Sequence, residues 1–159
     1  MTIQFNVTVS GDAQSRVAIA QVQQRITSRL RDAIQRAALD LLAHVKAKKL
    51  TGQVLNVRTG RLRRSITQRV ETEPSGVIAG LVGTNVSYGR THELGFKGRV
   101  PVRAHTRKLG GKSVPIRAHT RQMDIPKRPF LGPSLNEKMP VYRKWMQDAI
   151  KGAARAPGP

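Results

Sequence analysis

The residue pattern predicts an α+β protein, with a long N-terminal amphipathic helix and a C-terminal helix packed on a small, mostly antiparallel sheet that carries a long basic β-hairpin arm. Three observations predict it. Apolar residues recur at steps of three and four from Ile19 to Val45 with no Gly or Pro between them, as in a helix with one buried face. Shorter β-prone runs follow, punctuated by Gly, Pro and Ser. A near-repeat then flanks a Gly-Gly pair, the composition of a hairpin turn. At 159 residues the chain fits one domain over residues 1–159.

Taken in order, Ile3, Phe5, Val7 and Val9 alternate with polar residues, which predicts a half-buried strand rather than a basic-then-apolar signal segment. Gly11-Asp12 ends it, and Asp12 is placed to cap the next helix. That helix is predicted over residues 13–49. Ile19, Val22, Ile26, Leu30, Ile34, Ala37, Leu41 and Val45 form one stripe, with Ile26, Leu30 and Leu41 as expected core anchors. Arg16, Arg25, Arg29, Arg36 and Lys46 lie off it. Thr51-Gly52 breaks the helix, and Thr59 is placed to cap a brief second one carrying Leu62 and Ile66 on one face. Strands are predicted over residues 67–73 and 77–84 around a turn at Pro74-Ser75-Gly76. A short helix over residues 88–94 stops at Gly95.

Residues 97–128 differ in character, holding ten basic residues and one acid, Asp124. Val100-Pro-Val-Arg-Ala-His-Thr-Arg107 recurs as Val114-Pro-Ile-Arg-Ala-His-Thr-Arg121 across Gly110-Gly111, and proline second in each copy suits an edge or an extended arm. Phe130 and Leu131 are expected anchors before a last helix over residues 134–153. Pro140 must kink that helix or mark its true start. Residues 154–159 are expected to fray.

Twenty-nine Lys and Arg against nine Asp and Glu give a net charge of +20. Such a field attracts polyanions and makes free subunits repel one another. Nucleic acid is the usual partner for this balance, and a membrane surface comes second. No stretch approaches the roughly 20 apolar residues of a spanning helix, so a soluble protein is expected. Aromatics at 4% leave a thin core, for which self-association is a second source of buried surface. Cysteine is absent, which excludes disulfides and thiolate metal sites.

Catalytic motifs fail on inspection. His92-Glu93 begins the zinc-protease helix motif, but position 96, where the second ligand belongs, is Phe. His105 and His119 occupy equivalent repeat positions and are candidates to meet across a hairpin, yet only Asp124 among acids lies near to complete a metal set. There is no G-x-S-x-G elbow, and Gly110-Gly111-Lys112-Ser113 lacks the first glycine of a phosphate loop. No catalytic, cofactor or metal site is expected, and the chain is not expected to be an enzyme.

Three separated signatures occur in a set order. They are Thr59-Gly-Arg-Leu-Arg-Arg-Ser-Ile66, then Val82-Gly-Thr-Asn-Val-Ser-Tyr88 running into His92-Glu-Leu-Gly-Phe96, then Arg128-Pro-Phe-Leu-Gly-Pro-Ser-Leu135. Together, over roughly residues 13–153, they resemble the gene-product-10-like tail-component family of long-tailed phages, whose relatives include head–tail joining and tail-completion proteins. The resemblance implies a virion protein, assembled in the host cytoplasm as a homo-oligomeric ring of sixfold symmetry at the head–tail interface. Its partners would be neck, connector, tail-terminator or tail-tube proteins, with a tail-terminator ring as the variant reading. Arg61, Leu62, Arg64, Tyr88, Glu93 and Phe96 are then the subunit-interface candidates. Among them Glu93 is expected to pair with a neighbouring Arg, and Gly60 and Gly83 are expected at tight turns.

The basic arm departs from the family's usual form. Its cations Arg99, Arg103, Arg107, Lys108, Lys112, Arg117 and Arg121 are candidates to contact either double-stranded DNA in passage or an acidic partner. A standalone non-specific nucleic-acid-binding protein is the rival class. Against it, the aromatics Phe5, Tyr88, Phe96, Phe130, Tyr142 and Trp145 are scattered rather than grouped for base stacking.

Overall fold

The computed structural model describes residues 13–155, and the fold is α+β. The strand expected over residues 1–10 and the cap at Asp12 lie outside the described residues, as does the tail beyond Arg155. Helix α1 (Ala13–His44) continues into wider turns (Val45–Gln53) that lose helical geometry at Leu50, Thr51 and Gly52. There follow α2 (Arg61–Ser65), the hairpin of β1 (Ile66–Thr72) and β2 (Ile78–Thr84), and α3 (Ser87–Leu94). The arm comprises β3 (Phe96–Val102), β4 (His105–Leu109), β5 (Lys112–Ile116) and β6 (His119–Ile125), and α4 (Gly132–Arg155) completes the described chain. Instead of one sheet there are three two-stranded ladders, β1-β2, β3-β6 and β4-β5.

The chain divides into two compact units. One comprises Met1–Asp40, Arg69–Leu81 and Lys138–Pro159; the other comprises Leu41–Gln68 and Val82–Glu137.

In the first unit Ile34, Ala37 and Ala38 of α1 and Tyr142 and Ala153 of α4 are buried. A Cβ on Gly80 of β2 would meet Ile34 Cγ2 at 2.9 Å, so helix and strand approach more closely than a side chain allows. Tyr142 Oη donates to Asp40 Oδ2 at 2.8 Å, and Lys138 Nζ reaches the same oxygen at 3.0 Å. Burial first, and then that hydrogen bond, push the Tyr142 phenol far above its ordinary 10.0, so it stays a neutral donor. Arg36 stacks 4.3 Å from the Trp145 ring centroid. The apolar stripe of α1 extends to Ile19, but the described elements bury it only from Ile34 onward. Ile26 and Leu30 are half-buried and Ile19 is 67% exposed.

In the second unit Leu41, Val45, Leu50, Ile66 and Phe130 are buried. Lys49, 7% exposed, places Nζ 2.7 Å from Glu137 Oε1, and His44 Nε2 lies 3.1 Å from Oε2. The Lys49 hydrogen bond holds the Glu137 carboxyl below its ordinary 4.5, against an opposing desolvation and with help from His44.

Several expectations need correction. Thr59 does not cap α2; the position before the helix is Gly60 in the left-handed region (φ 67°), and the Thr59 Oγ1 contact to Arg61 N is long at 3.4 Å. Ile66 does not extend that helix but begins β1, 1% exposed. Gly83 sits inside β2 rather than at a turn. Helix α4 starts earlier than expected and runs straight through Pro140 in sequence, leaving the Asn136 carbonyl without its helical donor.

Candidate interaction site

The three sequence signatures converge within the second unit. At the C-terminal end of α3, Glu93 Oε2 accepts hydrogen bonds from Phe130 N (2.8 Å) and Leu131 N (3.0 Å), and Oε1 accepts one from Gly132 N (2.8 Å). Arg128 N donates to His92 O at 2.8 Å. One carboxylate thus satisfies the amides leading into α4, where the helix dipole favours a negative charge. Phe130 is fully buried beneath this clamp, and Ser134 Oγ donates to Phe130 O at 2.6 Å. Gly95 has φ 75°, and a Cβ there would lie 3.2 Å from both Ile125 O and Lys127 N, so only glycine fits. The ion pair expected for Glu93 is therefore replaced by three backbone amides.

The first two signatures meet through Ser65 Oγ and Thr84 Oγ1, 2.6 Å apart. Ser65 gives its hydrogen to Leu62 O (2.8 Å), so Thr84 donates to Ser65 and itself accepts from Val86 N at 3.1 Å. Gly89 of α3 is buried where a Cβ would meet Thr84 Cγ2 at 2.6 Å and Leu62 Cδ1 at 3.2 Å. This packing sets α2 beside α3. Between them and the 50–60 loop opens a cleft of about 600 Å³, lined by Leu50, Leu55 and Leu62 together with Arg58, Arg61 and Arg128. Tyr88 also lines it, 39% exposed, with its ring edge-on to His92 at 6.0 Å between centroids.

Of the interface candidates, the structure brings Arg61, Leu62 and Tyr88 to this cleft. Arg64 turns back to donate to Thr59 O at 3.1 Å. Phe96 stands on β3 opposite Ile125, 39% exposed. Leu131, expected in the core beside Phe130 and Leu41, is half-buried.

The arm is an antiparallel ribbon in which Phe96 faces Ile125 at the base and Leu109 faces Lys112 at the tip. Gly110 (φ 54°) and Gly111 (φ 80°) make its turn, with both central residues at positive φ as a tight hairpin turn requires. Arg99, Arg103, Arg107, Lys108, Lys112, Arg117 and Arg121 are all exposed. His105 and His119 do not meet: His105 is opposite Ile116, and His119 is opposite Val102. Among the described residues, no cluster of three metal-ligating side chains occurs.

A family model described as the phage virion morphogenesis family matches residues 36–147, a span that contains all three signatures. The chain belongs to the phage virion morphogenesis family. Its role is accordingly in building the phage particle. No curated protein and no solved structure matches the chain. The family match begins within α1 and ends within α4, so it takes in the clamp, the cleft and the whole arm. No described helix is long and apolar enough to cross a membrane.

Sequence reasoning missed Arg58 and Arg128 of the cleft and the amide clamp at Glu93. Only the need for an acceptor was legible, not its identity. Three successive N–H groups before Pro133 need an acceptor, and Glu93 lies in the signature that precedes them.

Proposed function

We propose that this member of the phage virion morphogenesis family is a structural subunit of a ring at the head–tail interface, acting in head–tail joining or tail completion. One observation carries the reading: burial in the isolated chain is incomplete. Among the described residues, fourteen large hydrophobic side chains are exposed while ten apolar residues form the core. Neighbouring copies in a ring would cover part of that surface, including Tyr88, Leu94 and Phe96, which lie at or beside the sequence signatures. A sixfold ring matches the family resemblance. The role needs no turnover, cofactor or metal, and the acids best placed for chemistry are already engaged: Glu93 on amides, Glu137 on Lys49 and Asp40 on Tyr142.

The test is to image negatively stained particles from phage grown with and without the gene. Filled heads beside finished, unjoined tails are expected. Overlong tails would reassign the subunit to a tail-terminator ring. Normal virions would overturn the reading.

A further inference from the structure

The hairpin repeat is self-complementary. Val100, the first residue of one copy, faces Arg121, the last of the other, and Val114 likewise faces Arg107. Val102 faces His119 while Ile116 faces His105, and Pro101 faces Thr120 while Pro115 faces Thr106. The two copies are therefore related by a local two-fold axis at the middle of the ribbon. Both break the ladder at the same place, after Val102 and Ile116. Both also make the same internal bond there, His105 Nδ1 to Arg103 O and His119 Nδ1 to Arg117 O, each 2.9 Å. A carbonyl only accepts, so Nδ1 carries the hydrogen and Nε2 is the nitrogen left free.

Two features distinguish the ribbon from a strand built to dock on protein. Each of these rungs sets an aliphatic side chain against an arginine or a histidine, or a proline against a threonine, so within the repeat no two apolar side chains face each other, and the apolar pair Phe96–Ile125 is confined to the base. The arginines also occur as a matched pair of Arg-x-His-x-Arg triads, Arg103-x-His105-x-Arg107 and Arg117-x-His119-x-Arg121, one on each side of the ribbon. From Arg103 to Thr120 there is no acid.

We propose that the arm binds the phosphodiester backbone of duplex DNA, with one Arg-Ala-His-Thr-Arg copy directed at each DNA strand. Duplex DNA has antiparallel strands related by local two-fold axes, and its major groove admits a two-stranded β-ribbon. From Arg99 to Leu109, extended chain through β3, the short break and β4 would span roughly 35 Å, about one turn of the duplex. Binding is independent of base sequence, because arginine contacts to phosphate position a protein without reading bases. The inference deepens the proposed neck function, and rests on it only for the source of the DNA, the genome in passage.

The test uses the purified full chain and a fluorescent, mixed-sequence DNA duplex, with affinity measured by anisotropy between about 50 and 200 mM salt. An arm variant carries Gln at Arg103, Arg107, Arg117 and Arg121. A control variant carries Gln at the exposed Arg16, Arg29, Arg143 and Arg155, the same change in net charge. The arm variant should flatten the slope of log affinity against log salt by roughly 3 to 4, about 0.9 for each phosphate no longer neutralised. The control should change it by less than about 1. A second variant, Lys108→Gln with Lys112→Gln at the tip, should flatten it by nearly 2, on the same ~0.9 per phosphate. Equal losses from arm and control variants would overturn the proposal, since bulk charge would then suffice. So would polyglutamate competing as well as DNA at equal charge, which would assign the arm to an acidic protein surface. Neither result bears on whether heads and tails join, so particle counts test the neck function separately.

Discussion

The clamp at Glu93 and the arm it adjoins are opposite solutions to the same composition. At the clamp one acid gathers three amides over a fully buried phenylalanine, and the amides leading into α4 find their acceptor inside the chain. Along the arm the backbone is paired but the cationic side chains are left outward. The comparison teaches how nine acids serve a chain with 29 cations. Glu93, Glu137 and Asp40 hold structure together through bonds to buried or half-buried groups, while the basic excess faces outward for partners. Stability and binding should therefore separate cleanly under mutation.

Phe130→Ala gives the largest expected loss, about 3–5 kcal/mol from the vacated cavity, and a melting-temperature drop on the order of 10 °C or more. Thermal unfolding monitored by circular dichroism measures it. Glu93→Ala should follow at about 3 kcal/mol, because removing one carboxylate leaves three donors to find water or remain unpaired. Glu93→Gln keeps a carbonyl acceptor and should recover part of that loss. A clamp variant that melted like wild type would break the comparison at its strongest point.

The Glu137 contact gives a pH-dependent version of the same test. Its carboxyl is held below the ordinary 4.5, mainly by Lys49. A depressed carboxylate contributes stability that is fully present above the unfolded value and is lost as pH falls through the folded value. Wild type should therefore lose melting temperature as pH drops below about 4.5, with a visibly flatter loss in Lys49→Met over the same window. The smallest effect is expected from the four-glutamine arm variant. Its melting temperature should stay within about 2 °C of wild type, because exposed substitutions away from packed contacts cost within roughly 0.5 kcal/mol. A large drop would mean that the arm's arginines hold the fold, and the division of labour would fail.

Periodicity and turn chemistry made most of the fold legible. The step pattern of α1, the Pro-Ser-Gly turn between β1 and β2 and the Gly-Gly tip of the arm are local signals, and each appears in the structure close to where the sequence puts it. What stayed hidden is long-range. Glu93 and Phe130 stand 37 positions apart, and nothing in the neighbourhood of either residue says which acceptor meets which amide. Thr59 is a good cap by type, but Gly60 takes the left-handed position that begins α2. The stripe of α1 was readable as apolar from Ile19 onward, yet periodicity shows only that a face is apolar and not what covers it. The charge of the arm was legible in full; its two-fold pairing depended on a register that composition does not set.

The register of the ribbon has a bearing on its ancestry. Val114 lies fourteen positions after Val100, and the turn sits between the two copies. In an antiparallel hairpin an inserted duplicate adds length to both strands at once, and the ends at Phe96 and Ile125 stay side by side. A tandem duplication is thus the genetic event that extends such an arm with least disturbance to its base. A further copy inserted at the same point would lengthen the arm by a whole cassette and leave the Glu93 clamp beneath it unchanged.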